Sequence, residues 1–195
     1  MDVQQLGRDH YPGNTWQDVA RADGDNLPPV LRAQCNPEQN LRDIAFTRYT
    51  SPEFFDREIE QMWKRVWQYA CRAEQLAEVG DYFVYDLARL SVVIVRAEQG
   101  LKAYFNSCIH RGTKLKPSGA AGWSPSIKCP FHAWEWHLDG KMKNRPCDWE
   151  FTHLPQDQAG LREVRVDSWN GFVFINLAPQ GPSLREYLEV LPEHF

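Results

Sequence analysis

The sequence lacks long apolar runs, an excess of basic residues and a dense set of cysteines. Its longest strongly apolar run is Val92-Val93-Ile94-Val95, far shorter than the roughly 20 residues that span a bilayer. Residues 1–16 are polar and contain no apolar core of a secretory signal peptide. We therefore expect no membrane segment and a cytoplasmic location.

The net charge is −4, from 22 basic and 26 acidic residues. Nucleic-acid-binding proteins normally carry a basic patch, so we expect no nucleic-acid partner. The five cysteines are odd in number and widely spaced, which argues against a disulfide framework and favours metal binding by some of them. They are Cys35, Cys71, Cys108, Cys129 and Cys147.

Aromatic residues are plentiful, with eight Trp, ten Phe and seven Tyr in 195 residues. A helix is predicted over about residues 51–68, because Ser51 is a good N-cap and Pro52 suits the first helical position. Apolar residues follow at helical spacing and predict a face packed on a core. They are Phe55, Ile59, Met62, Trp63 and Val66.

Short β-branched and aromatic segments predict strands after Gly80. The predicted strands are 82–87, 91–97, 101–106, 133–138, 161–166 and 172–177. Asp139-Gly140 and Asn170-Gly171 are hairpin-turn sequences, and Ser183 with Glu186 has the spacing of a capping box before a short helix. The pattern predicts a mainly β fold.

Two short motifs contain the residues that can bind metal, Cys108-Ile109-His110 and Cys129-Pro130-Phe131-His132. Eighteen residues separate His110 from Cys129. Each motif supplies one thiolate and one imidazole, which suits a two-iron cluster whose thiolates bind one iron and whose imidazoles bind the other. A structural zinc ion also accepts two Cys and two His, but zinc sites usually pair Cys with Cys and His with His.

Around these motifs the chain resembles the Rieske domain of ring-hydroxylating oxygenase α subunits. The resemblance lies in Cys108-Ile-His-Arg-Gly112, Cys129-Pro-Phe-His-Ala-Trp134 and Leu138-Asp-Gly140, and in Gly80-Asp81-Tyr82 and Gly171-Phe-Val-Phe-Ile-Asn-Leu177. It covers roughly residues 45–195 and implies a [2Fe–2S] cluster held by Cys108, His110, Cys129 and His132.

The implied fold is a Rieske [2Fe–2S] antiparallel β-sandwich domain with an N-terminal helical extension and a short C-terminal helix. We expect the extension at residues 1–68, the Rieske domain at 69–180 and a connection to a further domain at 181–195. Family members often have Tyr and Gly where this chain has Phe131 and Ala133. Arg111, Gly112 and Trp134 are expected to shape the pocket around the cluster.

At the four ligands the chain also resembles the Rieske proteins of membrane-bound quinol-oxidising complexes. Those proteins have two further cysteines that form a disulfide beside the cluster, and this chain has Thr113 and Phe131 at the corresponding positions. They also have a Ser hydroxyl near a cluster sulfur, and this chain has Trp134 at that position. Fewer hydrogen bonds to the sulfurs predict a reduction potential near the low end of the Rieske range, about −150 mV. His137, Cys147 and His153 are not expected to bind metal.

The resemblance also implies a mononuclear Fe(II) held by two His and one carboxylate in a following catalytic domain, and no suitable set remains unused here. The complete protein is thus expected to pass electrons from an NAD(P)H-dependent reductase or a ferredoxin to that iron. It would hydroxylate an aromatic or related small substrate with O₂, as a homo-oligomer, often a trimer, or with a β subunit. This portion alone is expected to contain no catalytic residue.

A stand-alone Rieske ferredoxin, an electron carrier and not an enzyme, is the alternative. Such carriers have little sequence before the first strand, whereas this chain has the predicted helix at 51–68. The capped helix after Pro182 also suggests that the chain continues into another domain.

Overall fold

The computed structural model of the chain describes residues 21–22, which are helical, and residues 44–194. The chain divides into two units, Met1–Phe46 and Thr47–Phe195, and every described strand belongs to the second. Cys35, His10 and most of the predicted N-terminal extension lie outside the described residues. None of the described helices has the length and apolar character needed to cross a membrane.

Two helices begin the second unit, α1 (Thr47–Thr50) and α2 (Pro52–Glu58). Helix α2 continues as a π-helical segment, Ile59–Trp63. Ser51 is its N-cap, as predicted, because its hydroxyl accepts a hydrogen bond of 3.1 Å from the backbone N–H of Phe54.

The helix is shorter than the predicted 51–68, and its apolar face is only partly covered. It ends because Gln68 already pairs with Ile175 in the sheet, and the Gln68 side-chain amide donates to the carbonyl of Trp63 at 2.6 Å. Ile59 is buried, whereas Phe55 and Met62 are 46% and 40% exposed. The predicted apolar face thus packs through Ile59, while Phe55 and Met62 stay partly exposed.

Within the described residues, ten antiparallel strands form two sheets. The larger has the order β1-β10-β9-β4-β3-β2-β5 and the smaller the order β6-β7-β8. The strands are β1 (Gln68–Arg72), β2 (Asp81–Leu87), β3 (Leu90–Ala97), β4 (Gly100–Phe105), β5 (Ala121–Trp123), β6 (Ile127–Lys128), β7 (Glu135–Trp136), β8 (Met142–Asn144), β9 (Glu163–Trp169) and β10 (Phe172–Asn176). The predicted mainly β, antiparallel fold is confirmed.

The central residues Val92–Val95 of β3 separate two cores, which explains why these four positions are all apolar. Val92 and Ile94 lie in a core with β1, β9 and β10. Val93 and Val95 face the other way, into a core that also contains Cys108 and Cys129. Because successive side chains of a strand point to opposite faces, the part of a strand that is covered on both faces is apolar at successive positions.

The larger sheet curls so that its first strand approaches its far side. The Tyr85 hydroxyl on β2 donates to the Gln68 side-chain oxygen at the start of β1, at 3.2 Å. The Arg96 guanidinium on β3 donates to the Leu76 carbonyl at 2.7 Å. These contacts enclose the core that contains Val92 and Ile94, which we call the inner core. The core that contains Val93, Val95, Cys108 and Cys129, which we call the second core, is covered by the smaller sheet and its loops.

Turn predictions agree with the structure at both hairpin sequences. Asn170 and Gly171 have φ of 48° and 79°, and they join β9 to β10 with Trp169 opposite Phe172. The segment predicted as a strand over 133–138 is shorter, since only Glu135–Trp136 is extended and paired.

The C-terminal part contains α3 (Leu184–Tyr187) and α4 (Leu191–His194). The Ser183–Glu186 capping box is present as predicted. Leu184 and Leu188 are buried against Trp67, whereas Leu191 is 44% exposed.

Candidate metal centre

Two loops at one end of the second core contain the four predicted ligands. The first, residues 108–113, follows β4, and the second, residues 129–134, connects β6 to β7. Both pack against Val93, Val95 and Tyr104. The same core contains Ile127 of β6 and Trp136 of β7, so strands of both sheets support the loops.

The two loops close with the same main-chain pattern. In the first, Cys108 N–H donates to Thr113 and Gly112 N–H donates back to Cys108, both at 2.8 Å. In the second, Cys129 N–H donates to Trp134 at 2.8 Å and Ala133 N–H donates to Cys129 at 3.2 Å. Each cysteine thus begins a turn closed by two hydrogen bonds.

Each turn requires a left-handed residue at its fifth position. Gly112 has φ of 74° and Ala133 has φ of 58°. Around Gly112 a Cβ would meet only Ser107 Oγ, at 3.9 Å, so backbone conformation and not space requires glycine there. Ala133 adopts the same conformation with a side chain, which is unfavourable for L residues.

The two thiols are buried beside each other. Cys108 is 3% and Cys129 is 2% exposed. Burial raises the pKa of the Cys108 thiol, the adjacent Cys129 raises it further, and hydrogen bonds from the backbone of His110 and Arg111 oppose the rise. Two thiols in this position are poorly solvated, but they have donors available for a negative charge on Cys108.

The two imidazoles also meet. The ring centroids of His110 and His132 are 4.8 Å apart, and burial lowers the pKa of His110, with the charges of His132 and Arg111 adding to the effect. The Nδ1 atoms of both rings are buried and have no hydrogen-bond partner. Buried polar nitrogens normally have a partner, so both are free to bind a metal.

Aromatic rings enclose His110. The Trp134 indole is stacked on it, with centroids 4.9 Å apart and planes 4° apart, and Phe151 meets its edge at 5.6 Å. Trp134 is 2% exposed. We call Trp134 and Phe151 the aromatic wall.

His132 has the more open surroundings. The Phe131 ring lies 3.7 Å from it, tilted by 39°, and Phe131 is 59% exposed. The pair therefore marks the face of the centre that is reached from solvent.

Sequence reasoning identified Trp134 but missed Phe151 and Arg145. Arg145 is only 5% exposed, and its guanidinium carbon lies 5.3 Å from the Trp134 ring and 5.1 Å from the Phe151 ring. A lone arginine in a polar segment gives no sequence signal of burial, and Phe151 lies outside every motif.

The remaining candidates lie at the surface. Arg111, His137, Cys147 and His153 are exposed. Across residues 21–22 and 44–194, no three His, Cys, Asp or Glu side chains are placed to bind one metal ion. A two-iron cluster needs only two protein ligands at each iron, and the two cysteines and two histidines supply that number.

Comparison with known proteins agrees with this geometry. Residues 66–156 match the family described as the Rieske [2Fe-2S] domain. The carnitine monooxygenase oxygenase subunit of Escherichia coli K12 is 33% identical over 156 residues, which are 79% of this chain and 41% of that protein. The anthranilate 1,2-dioxygenase large subunit of Acinetobacter baylyi is 32% identical over 155 residues, 78% of this chain and 33% of that protein.

A solved structure shows the same likeness. A quaternary ammonium Rieske monooxygenase, described with carnitine oxidation and inter-subunit electron transfer, superimposes with a TM-score of 0.69 at 29% identity. The match covers 76% of this chain and 40% of that one. The chain thus spans less than half the length of these relatives, and it is similar to their Rieske portion.

Proposed function

Residues 66–156 belong to the Rieske [2Fe-2S] domain family, and we propose that Cys108 and Cys129 bind one iron of the cluster while His110 and His132 bind the other through Nδ1. The observation that carries this assignment is the pair of buried Nδ1 atoms without a hydrogen-bond partner. They lie on rings 4.8 Å apart, in the same core as the two buried thiols.

When bound, the cluster supplies one-electron transfer at a potential set by its ligands and surroundings. The chain's own residues hold and tune it. The two closed turns fix the positions of the cysteines, and backbone hydrogen bonds of His110 and Arg111 reach the Cys108 sulfur. The aromatic wall excludes water beside His110, while Phe131 covers His132 on the solvent side.

The test begins with the chain purified without oxygen and examined by absorption and low-temperature EPR before and after dithionite. We expect a red-brown oxidised form and a rhombic signal after reduction. His110→Cys and His132→Cys should each change that signal, and the exposed His137→Cys is the matched control and should leave it unchanged. A colourless protein with stoichiometric zinc and no sulfide, even after iron–sulfur reconstitution, would exclude this assignment.

For a complete subunit that contains this chain, we propose an iron-dependent oxygenase. Its electrons would come from NAD(P)H through a reductase or ferredoxin, and a mononuclear iron held in a further domain would supply the O₂-dependent hydroxylation of a small substrate. A homo-oligomer and a cytoplasmic location belong to the same proposal. The likeness to oxygenase subunits, and not only to Rieske domains, supports it over a stand-alone ferredoxin.

Two substrate classes are supported by the relatives. Anthranilate and 2-aminobenzenesulfonate dioxygenases are named for aromatic substrates, in line with the aromatic substrate expected from the sequence. Carnitine, choline and glycine betaine monooxygenases are named for quaternary ammonium compounds. Substrate-dependent O₂ uptake by the complete subunit, with L-carnitine and with anthranilate in parallel, separates the two.

The same assay tests the carrier alternative. An oxygenase should consume O₂ in proportion to hydroxylated product. A stand-alone ferredoxin should be reduced and reoxidised by protein partners but should yield no product with either substrate.

A further inference from the structure

Arg145 is an almost completely buried cation beside the proposed cluster site. Its side chain is 2% exposed, whereas the side chain of its ion-pair partner Asp148 is 47% exposed. Removing a guanidinium from water is costly unless its donors are paired. The surroundings of Arg145 meet that requirement and explain how it is held.

The guanidinium organises the segment that carries Phe151. Its Nε donates to Asp148 Oδ1 at 2.6 Å, and its Nη1 donates to the carbonyl of Leu154 at 2.8 Å. These bonds fix residues on both sides of Phe151. Main-chain bonds from Phe151 to Asp148 and from Leu154 to Phe151, both 3.0 Å, complete the turn.

The same group contacts both rings of the aromatic wall. Arg145 Cζ is 5.3 Å from the Trp134 ring and 5.1 Å from the Phe151 ring. Cation–π attraction at these distances is strengthened by burial. Both rings also contact His110, Trp134 by stacking and Phe151 by an edge contact. A single aromatic ring therefore separates Arg145 from a proposed iron ligand.

The two charges of the Arg145–Asp148 ion pair are screened by water to different extents. The half-exposed carboxylate is screened by water, while the buried guanidinium acts through a medium of low dielectric constant. The field that reaches His110 through the aromatic wall is therefore dominated by the positive charge. A positive field stabilises the extra electron of a reduced cluster.

We propose that Arg145 is a positioning and tuning residue for the [2Fe–2S] cluster: it holds Trp134 and Phe151 against His110, and its charge raises the reduction potential. This inference rests on the proposed ligand set. A merely structural role would be met by an apolar side chain of similar volume, and that difference makes the proposal testable.

The experiment compares the midpoint potentials of the reconstituted chain and its variants by EPR-monitored titration. Arg145→Met should lower the potential, because the buried positive charge is lost. Asp148→Asn should raise it, because only the opposing negative charge is lost. Arg89→Met is the matched control, because Arg89 is exposed and pairs with Asp56, and it should leave the potential unchanged.

The opposite signs distinguish tuning from packing. A loosened wall would admit water in both variants and shift both potentials in the same direction, which would overturn the proposal, as would the absence of a shift in Asp148→Asn. If Arg145→Met fails to fold, Asp148→Asn and Arg145→Lys decide. Lys keeps the charge but loses the planar contact, so it should lower the thermal unfolding temperature while the potential stays near the wild-type value.

If the proposed ligand assignment itself is wrong, the reconstituted wild-type chain shows no rhombic EPR signal at all. A wild-type chain with the signal, but with variants whose potentials do not separate, would contradict the role of Arg145 alone.

Discussion

The imidazole of His110 lies parallel to the indole of Trp134, with 4.9 Å between the ring centroids and 4° between the planes. Trp134 belongs to the second cysteine loop and His110 to the first, so the stack joins the two loops through side chains. It also places a fully buried indole on one whole face of a proposed ligand. Packing and the chemistry of the centre therefore depend on the same contact.

Replacing Trp134 should destabilise the fold and expose the centre. Trp134→Ala removes a large buried ring, and we expect a loss of about 3–5 kcal/mol in the free energy of unfolding. Urea denaturation measures this change. The proposed cluster should also bleach faster in air, because water and oxygen reach His110.

Trp149 provides the matched control, since it is 75% exposed. Trp149→Ala should change the free energy of unfolding by no more than about 0.5 kcal/mol. Equal losses in the two variants would contradict the role given to the stack.

Ala133→Gly should stabilise the chain. Ala133 has a left-handed φ of 58°, a conformation that costs an L residue about 1 kcal/mol relative to glycine. We expect a gain of up to about 1 kcal/mol by urea denaturation. Ala121 lies in a strand, so Ala121→Gly should instead cost about 0.5–1 kcal/mol, and a loss in both variants would contradict the strain at Ala133.

The sequence predicts Cys108, His110, Cys129 and His132 as the ligand set because ligand chemistry restricts residue types and spacing, and the structure places these four residues in two adjacent loops. The capping residues Ser51 and Ser183 and the turn at Asn170–Gly171 were also predictable, because each depends on local hydrogen bonds or on φ. These features are decided within a few residues of the chain, where a single sequence contains the necessary information.

The remaining features of the fold and of the site could not be predicted, because they depend on tertiary contacts. Short strands such as β5 and β8 exist because a neighbouring strand offers hydrogen bonds, and their own residues have weak strand preferences. The helix predicted over 51–68 stops at Trp63 because β10 takes Gln68 into the sheet. Arg145 is buried only because the aromatic wall and Leu154 come together around it, which no local pattern indicates.

The loops around the centre should favour an acidic electron donor. Residues 107–134 contain four basic residues and no Asp or Glu, in a chain whose net charge is −4. Arg111 and Lys128 are exposed next to proposed ligands. We expect reduction by an acidic ferredoxin to slow as ionic strength rises, and to be several-fold slower at low salt in Lys128→Gln, because complementary charge speeds association.

Stopped-flow absorption measures that rate, and two controls separate docking from redox chemistry. Arg89→Gln removes an exposed charge elsewhere and should have little effect. Photoreduced deazaflavin, a small reductant, should reduce Lys128→Gln and the wild type at similar rates. A rate independent of salt for the ferredoxin would contradict the docking role.

Two cysteines outside the centre should differ in reactivity. Cys71 is 2% exposed, and burial raises the pKa of its thiol to about 11. At pH 8 about one Cys71 in a thousand is a thiolate, so iodoacetamide should leave it unmodified in the folded chain while labelling the exposed Cys147.

Peptide mass spectrometry after timed alkylation resolves the two sites. Because a raised pKa keeps the reactive thiolate scarce until the pH approaches 11, labelling of Cys71 should increase steeply above pH 9. Addition of urea at pH 8 should make its rate similar to that of Cys147. Fast labelling of Cys71 without urea would show that the inner core opens.

The matching hydrogen-bonded closure of the two cysteine loops bears on how the centre is made in the cell. Main-chain bonds shape each loop, and strands of both sheets support them. The backbone that carries the proposed ligands is therefore specified by the protein's own hydrogen bonds. Assembly of the centre then requires iron and sulfide to meet side chains on two loops whose shape the chain itself encodes.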